Sequence, residues 1–373
     1  MGIQAKTLLE VKNLNVDYAA ANGTVHAVSD VSFTLGRGEI LGLAGESGCG
    51  KSTLAYGLTR LLRPPAVITG GEVIYYPRDE RGSVDVGRSS KRAYQERVDV
   101  LQLTSAQLRK FRWNEISIVF QSAMNALNPV LTIGAQIDDV LRTHQRNVGA
   151  DTRKKRAIEL LDQVGISGER LKSYPHELSG GMRQRAVIAI ALALGPELIV
   201  MDEPTTALDV VVQREILQLI SKLCKEFATA LIFITHDLSL LLELSNNIAI
   251  MYAGKMIEKA SSEDIYKHPR HPYSYSLLHS FPTLHGPQKR MVGIPGSPPD
   301  LRALPPGCAF HPRCPLAFEQ CRTTLPILQA ATPEQPEQQV ACYLYNPAYS
   351  PGGEPTSADF AQKFERMSEG SRR

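Results

Sequence analysis

Eight residues, Gly45-Glu46-Ser47-Gly48-Cys49-Gly50-Lys51-Ser52, constrain this chain more than any other stretch. An apolar run from Glu39 to Ala44 precedes them and reads as a buried strand, and Thr53 to Leu62 follows as a helix-compatible segment. A glycine-rich turn between a strand and a helix implies α/β construction. Its backbone N–H groups curl around an anion, and the helix N-terminus adds a partial positive charge. In that setting Lys51 reaches the β- and γ-phosphates of a nucleotide, and the Ser52 hydroxyl ligates Mg²⁺. Cys49 reads as a small residue that fits the turn.

A phosphate loop needs an acidic residue at the end of a second buried strand to hold the metal. Leu198-Ile199-Val200-Met201-Asp202 supplies one, with Asp202 reaching Mg²⁺ through its water shell. Glu203 follows, where a carboxylate can polarise an attacking water. Around these two segments the pattern alternates between strand and helix. Residues 8–18 and 25–35 read as two short strands joined by a turn at Ala20–Gly23, and Gly70–Tyr76 reads as another strand. Helical spacing runs from Thr132 to Leu171 (Ile133, Ile137, Val140, Leu141, then Ile158, Leu160, Leu161, Val164), and Ser179 to Leu194 forms a further helix. A helix over Val210–Phe227 and a strand over Ala230–Thr235 continue the βα alternation of a parallel sheet.

The polar segment from Pro77 to Lys110 reads as an exposed insertion, because charge runs are usually solvated surface. The 373 residues carry a net charge of only +3, which does not point to nucleic acid. Met1 to Glu10 lacks the apolar core of a secretory signal. The longest apolar run, Ala186 to Met201, is broken by Gly195-Pro196 and Glu197 and is too short to span a bilayer. A soluble, cytosolic chain is expected.

Between the two phosphate-site elements lies Leu178-Ser179-Gly180-Gly181-Met182-Arg183-Gln184-Arg185. With this segment the chain resembles the ATP-binding-cassette (ABC) ATPases, whose signature is L-S-G-G followed by a basic helix. Other landmarks follow in the family's order. Tyr18 matches the aromatic residue that stacks on adenine, and Gln121, after Ile116–Phe120, matches the glutamine that contacts Mg²⁺ and the attacking water. Ala207-Leu208-Asp209 matches the D-loop, and His236 in Thr235-His236-Asp237 matches the switch histidine.

The resemblance covers about residues 7–265. It implies a RecA-like parallel sheet core with an antiparallel β subdomain and an α-helical subdomain at about 122–185. It also implies ATP contacts from Tyr18, Gly45, Ser47, Gly48, Cys49, Gly50, Lys51, Ser52, Thr53, Gln121, Asp202 and Asp209. Mg²⁺ would be held by Ser52, Gln121 and Asp202, with Glu203, His236, Gln121 and Lys51 carrying the chemistry. Ser179, Gly180 and Gly181 would serve the nucleotide of a second, facing cassette, either a related chain or a copy of this one. Closure on ATP and opening after hydrolysis would then be a ligand-driven population shift.

Three kinds of ABC protein compete: a transport motor, a chromosome or repair ATPase, and a translation ATPase. The span from Ser52 to Leu178 carries no long heptad insertion, and the chain shows one cassette rather than two. Apolar spans are absent, which leaves a separate ATPase subunit serving an importer's permeases. His271-Pro272-Tyr273, Gly296-Ser297-Pro298-Pro299-Asp300-Leu301 and Gly307–Pro315 resemble the extension of oligopeptide/dipeptide importer ATPases, as does Asn125-Ala126-Leu127-Asn128-Pro129. That resemblance implies a peripheral protein on the cytoplasmic face of the inner membrane. Its partners would be two permease subunits and, through them, an extracytoplasmic solute-binding protein. Peptides are the expected cargo, with nickel chelates or other small solutes as the alternative.

The organisation expected is a cassette over 1–265, an extension over 266–345 and a disordered Ser-, Gly- and Pro-rich tail over 346–373. The extension holds Cys308, Cys314, Cys321 and Cys342, spaced C-x5-C-x6-C-x20-C. By count four thiolates suit Zn²⁺ or a [4Fe–4S] cluster equally, and the spacing matches neither paired zinc knuckles nor a ferredoxin run. The resemblance to peptide-importer ATPases favours [4Fe–4S]. His311 could substitute as a ligand, but it reads first as a capping or surface residue.

Overall fold

The computed structural model describes residues 7–21, 23–77, 97–121, 126–206, 208–280, 294, 296–346, 348–349 and 354–370. Alternation of buried and exposed side chains gives two long strands, β1 (Thr7–Ala20) and β2 (Gly23–Gly36), hydrogen-bonded antiparallel through a tight turn. They are longer than the spacing predicts, with register shifts along the pairing. Next come the all-buried β3 (Ile40–Ala44), α1 (Lys51–Leu58) and β4 (Ala66–Tyr75). The segment expected to be an insertion lies partly outside the described residues. Its remainder forms β5 (Val98–Asp99) and α2 (Ser105–Phe111) and buries Val100, Leu108 and Phe111. Its second half is therefore anchored to the core by a few side chains, while most of residues 101–110 stay exposed. Leu108 and Phe111, three positions apart in α2, and Val100 ahead of it anchor the segment despite its local excess of charge. Strands β2-β1-β4-β5 form the antiparallel subdomain.

Strand β6 (Ile116–Val119) leads to the helices α3 (Ile133–His144), α4 (Ala150–Gln163) and α5 (Gly180–Ala191). Ile133, Ile137 and Leu141 of α3 bury the stripe that the sequence spacing predicts, against Leu160, Leu161 and Val164. Then β7 (Leu198–Asp202), α6 (Val210–Phe227), β8 (Ala230–Ile234), α7 (Leu238–Leu244), β9 (Asn247–Tyr252) and β10 (Lys255–Ser261) complete the main sheet. Strands β9-β3-β8-β7-β6 run parallel. Burial on both faces explains their continuous apolar runs.

The later chain adds α8 (Ser262–Lys267), α9 (Pro272–His279), α10 (Glu319–Thr323), β11 (Gln329–Thr332) and β12 (Gln335–Val340). β12 pairs with β10 through Glu258↔Val340 and Lys259↔Gln339, and β11 pairs with β12. The extension therefore lengthens the cassette's own sheet instead of standing apart. The tail corrects the sequence reading more directly. Ser357–Gly370 is a helix, α11, whose Phe360 and Phe364 are buried with ring centroids 5.4 Å and 5.9 Å from Tyr275 of α9. Composition marks this stretch as polar, but two phenylalanines one turn apart make a seam that α9 covers. Phe360→Ala is expected to cost about 3–5 kcal/mol of stability in urea unfolding. A loss below about 1 kcal/mol would mean that the helix is not docked in solution. No helix among the described residues is long and apolar enough to cross a membrane.

Candidate active site

The site forms where β3, β7 and β8 end side by side, outside the carboxyl edge of the parallel strands. Gly45, Gly48 and Gly50 all take positive φ, and α1 begins at Lys51. The turn can therefore curl only because these positions lack a Cβ. Lys51 is buried, and its Nζ donates to the Gly45 carbonyl at 2.8 Å and the Glu46 carbonyl at 2.9 Å. Its ammonium thus sits within the loop that a phosphate would enter. The Tyr18 hydroxyl lies 3.2 Å from Thr53 Oγ1, which brings the ring to the start of α1. Burial pushes the Cys49 thiol up, and neighbouring Lys51 opposes that shift.

Asp202, the last residue of β7, is fully buried, and neither carboxylate oxygen has a hydrogen-bond partner among the described residues. Burial pushes its carboxyl up. The Ser52 hydroxyl opposes that shift, neighbouring Glu203 adds to it, and Lys51 opposes it. A buried, orphaned carboxylate facing a serine hydroxyl fits a hydrated divalent cation, which would satisfy both oxygens. Glu203 follows with φ 46°, in the left-handed region, and its N–H donates to the Ile234 carbonyl at 2.9 Å. Its side chain is 12% exposed. Gln121 Nε2 donates to Glu203 Oε2 at 3.0 Å, Thr206 Oγ1 donates to the same oxygen at 3.1 Å, and His236 Nδ1 stands 3.2 Å from Oε1. Gln121 and His236, 115 positions apart, thus meet on one carboxylate. Thr206 carries no sequence signal of this contact.

Ser179 caps α5, its hydroxyl accepting from the Met182 N–H at 3.3 Å. Asp209 caps α6, accepting from the Val211 and Val212 N–H groups at 3.1 and 3.0 Å. A Cβ at Gly181 would lie 2.7 Å from Val212 Cγ1, so these two helix starts are in close contact. Among the described residues no hydrogen bond joins Ser179–Gly181 to residues 45–53. Ala207 and Asn125 lie outside the described residues.

Cys308, Cys314, Cys321 and Cys342 line one cavity together with Phe310 and His311. Burial pushes Cys308 up to about 11 and Cys314 up to about 12, and raises Cys321 and Cys342 as well. His311 Nδ1 lies 2.9 Å from the Cys308 carbonyl, a local turn contact. Among the described residues no three His, Cys, Asp or Glu side chains converge on a point where one metal ion could sit.

A parallel sheet ending in a glycine-rich loop, an orphaned strand-end carboxylate and a glutamate held by glutamine and histidine define a nucleoside triphosphatase. The ABC transporter family profile matches residues 28–206, and the oligopeptide/dipeptide transporter C-terminal region matches residues 257–321. The oligopeptide transport ATP-binding protein OppD of Escherichia coli (strain K12) is 41% identical over 332 residues, 88% of this chain and 92% of that protein. AppD of Bacillus subtilis (strain 168), also an oligopeptide transport ATP-binding protein, is 40% identical over 341 residues, 91% of this chain and 97% of that one. Among solved structures, the post-hydrolysis dimer of the ATP-binding cassette MJ0796 bound to ADP and Pi superposes with TM-score 0.56 at 27% identity. It covers 68% of this chain and 99% of that one. The chain belongs to the ABC transporter family of ATPases, in its oligopeptide/dipeptide transport ATP-binding branch.

Proposed function

We propose that this chain binds and hydrolyses ATP to power an importer of oligopeptides or dipeptides, from the cytoplasmic face of the inner membrane. The observation that carries the hydrolytic part is Glu203 with Gln121 and His236 on its carboxylate, one residue after the orphaned Asp202. On ATP entry Lys51 leaves the loop carbonyls for the β- and γ-phosphates, and the N–H groups of residues 45–53 close around them. Ser52, Gln121 and, through water, Asp202 would hold Mg²⁺, which neutralises charge on the β- and γ-phosphates when bound. Glu203 accepts the proton of the attacking water, Gln121 orients that water, and His236 turns its ring toward the γ-phosphate. Tyr18 stacks on adenine.

Ser179, Gly180 and Gly181 act on the nucleotide of a facing cassette, and Asp209 lies at that interface. The half-site reading is supported by the close contact of the α5 and α6 starts, where Ser179 and Asp209 cap neighbouring helices. Val210 and Val211, 78% and 70% exposed beside Asp209, support it as well. Exposed Val130 and Leu131 suit docking of a permease on the helical subdomain. A solute-binding protein would act through those permeases. We take the cassette to end near residue 265, the helical subdomain to cover about 122–185 and the peptide-type extension to run over 266–345.

For the four cysteines that line one cavity we keep the [4Fe–4S] reading, with Zn²⁺ as the alternative. Four thiolates match the ligand count of either group, and the resemblance to peptide-importer ATPases is what favours the cluster. When bound, the cluster would staple a segment with little core of its own. Anaerobically purified protein is expected to contain iron and absorb broadly near about 400 nm, with Cys314→Ser losing both. Iron-free parent protein would exclude the cluster.

The transport reading is tested by purification with membrane partners and reconstitution, in which peptide-loaded binding protein raises ATP turnover. Enrichment on DNA or ribosomes instead of permeases would overturn it.

A further inference from the structure

Glu46, the second residue of the phosphate loop, is held from the far end of the chain. Arg313 Nη1 donates to Glu46 Oε2 at 2.7 Å and Nη2 to Oε1 at 3.0 Å, a two-point fork. Nη1 also donates to the Tyr252 hydroxyl at 3.2 Å. The Arg313 side chain is 5% exposed and that of Glu46 23% exposed. The Tyr273 hydroxyl accepts the Glu46 N–H at 2.8 Å, while the Glu46 carbonyl takes Lys51. Side chain, amide and carbonyl of one loop residue are thus all engaged, two of the three by residues beyond the 28–206 match.

A bare carboxylate at this position would oppose an incoming triphosphate, and a loop free to swing would scatter the N–H groups that must converge on it. We propose that Arg313 is a positioning residue for the phosphate loop. It neutralises Glu46 and holds it so that residues 45–52 keep their anion-binding shape. Arg313 immediately precedes Cys314, and Phe310 of the same turn packs on Tyr273, so the turn touches both groups that hold Glu46. The proposal rests on the ATPase activity and does not require the cysteines to be liganded.

The test measures Mg-ATP affinity, KM and kcat on the full chain. Arg313→Gln is expected to raise the ATP KM roughly tenfold with kcat changed less than about twofold, because it leaves Glu46 charged and loose. Glu46→Gln is expected to raise it only about threefold, and the double variant to match Glu46→Gln rather than Arg313→Gln, because no unpaired charge remains. A purely structural role would lower Tm in Arg313→Gln and in the double variant while leaving the KM of folded protein at the parent value. A parent-like KM in Arg313→Gln, or a double variant as impaired as Arg313→Gln, overturns the proposal. If Arg313→Gln does not fold, Arg313→Lys decides: it keeps the charge but not the fork, and a several-fold rise in KM is expected, with no rise counting against the inference. An inactive parent protein would fail the ATPase assignment instead.

Discussion

Glu203→Gln is expected to lower ATP turnover by roughly 10²–10⁴-fold while ATP binding stays within about twofold of the parent. The substitution is nearly isosteric, so Gln121, Thr206 and His236 keep a partner at 3.0–3.2 Å. What disappears is the ability to accept a proton from water. A second effect has the same sign for binding: removing the negative charge beside Asp202 relieves one of the influences that raise its carboxyl. The variant should therefore hold ATP and accumulate as a closed pair of cassettes. Single-turnover phosphate release, with nucleotide retention on the same sample, checks both halves. Parent-level release would mean that another group takes the proton, and loss of ATP binding would mean that Glu203 serves the loop rather than the water.

Gly50→Ala is expected to abolish ATP binding, with affinity down at least about a hundredfold. A Cβ at this position would stand 2.1 Å from the Ala27 carbonyl oxygen, and φ is +104°. Neither problem has a cheap escape. Ala27 lies in β2, so relief requires moving a strand or displacing the start of α1. The backbone strain alone costs about 1–3 kcal/mol, and displacement of α1 carries Lys51 and Ser52 away from the phosphates. Gly48→Ala is the internal comparison, since φ is +79° but nothing lies within 4 Å of the added atom. It should bind ATP more weakly than the parent yet measurably. Isothermal titration with ATP, with circular dichroism confirming the fold, separates the two. Equal behaviour of both variants would show that the contact with Ala27 is not what shapes the loop.

Much of the site is legible before any coordinates, because its parts are local. A strand, a glycine turn and a helix announce Lys51 and Ser52 in one short window, and a buried apolar run announces Asp202. Helical periodicity places Ile133, Ile137 and Leu141 on one face, where they are buried. Gln121 and His236 depend instead on register within a familiar order of motifs. The misreadings share one cause. The residues after Arg97 and those after Asn346 look like solvated or disordered chain by average polarity, yet Val100, Leu108 and Phe111, and then Phe360 and Phe364, are buried. A few well-spaced apolar side chains decide such segments only when a partner surface is present, and composition cannot supply the partner.

Residue order alone determined that this chain carries a phosphate loop, a strand-end carboxylate pair, a signature segment and a four-cysteine set. The first two are encoded within one local element each, the signature segment is read through the family resemblance, and the cysteine set is read by count alone. Tertiary structure decided that Gln121, Thr206 and His236 share the Glu203 carboxylate, and that β12 joins the cassette's sheet beside β10. It also decided that Arg313 reaches across 267 positions to hold Glu46. Such pairings depend on which surfaces the fold brings together, and a contact closed by packing leaves no periodic mark on either of its distant partners.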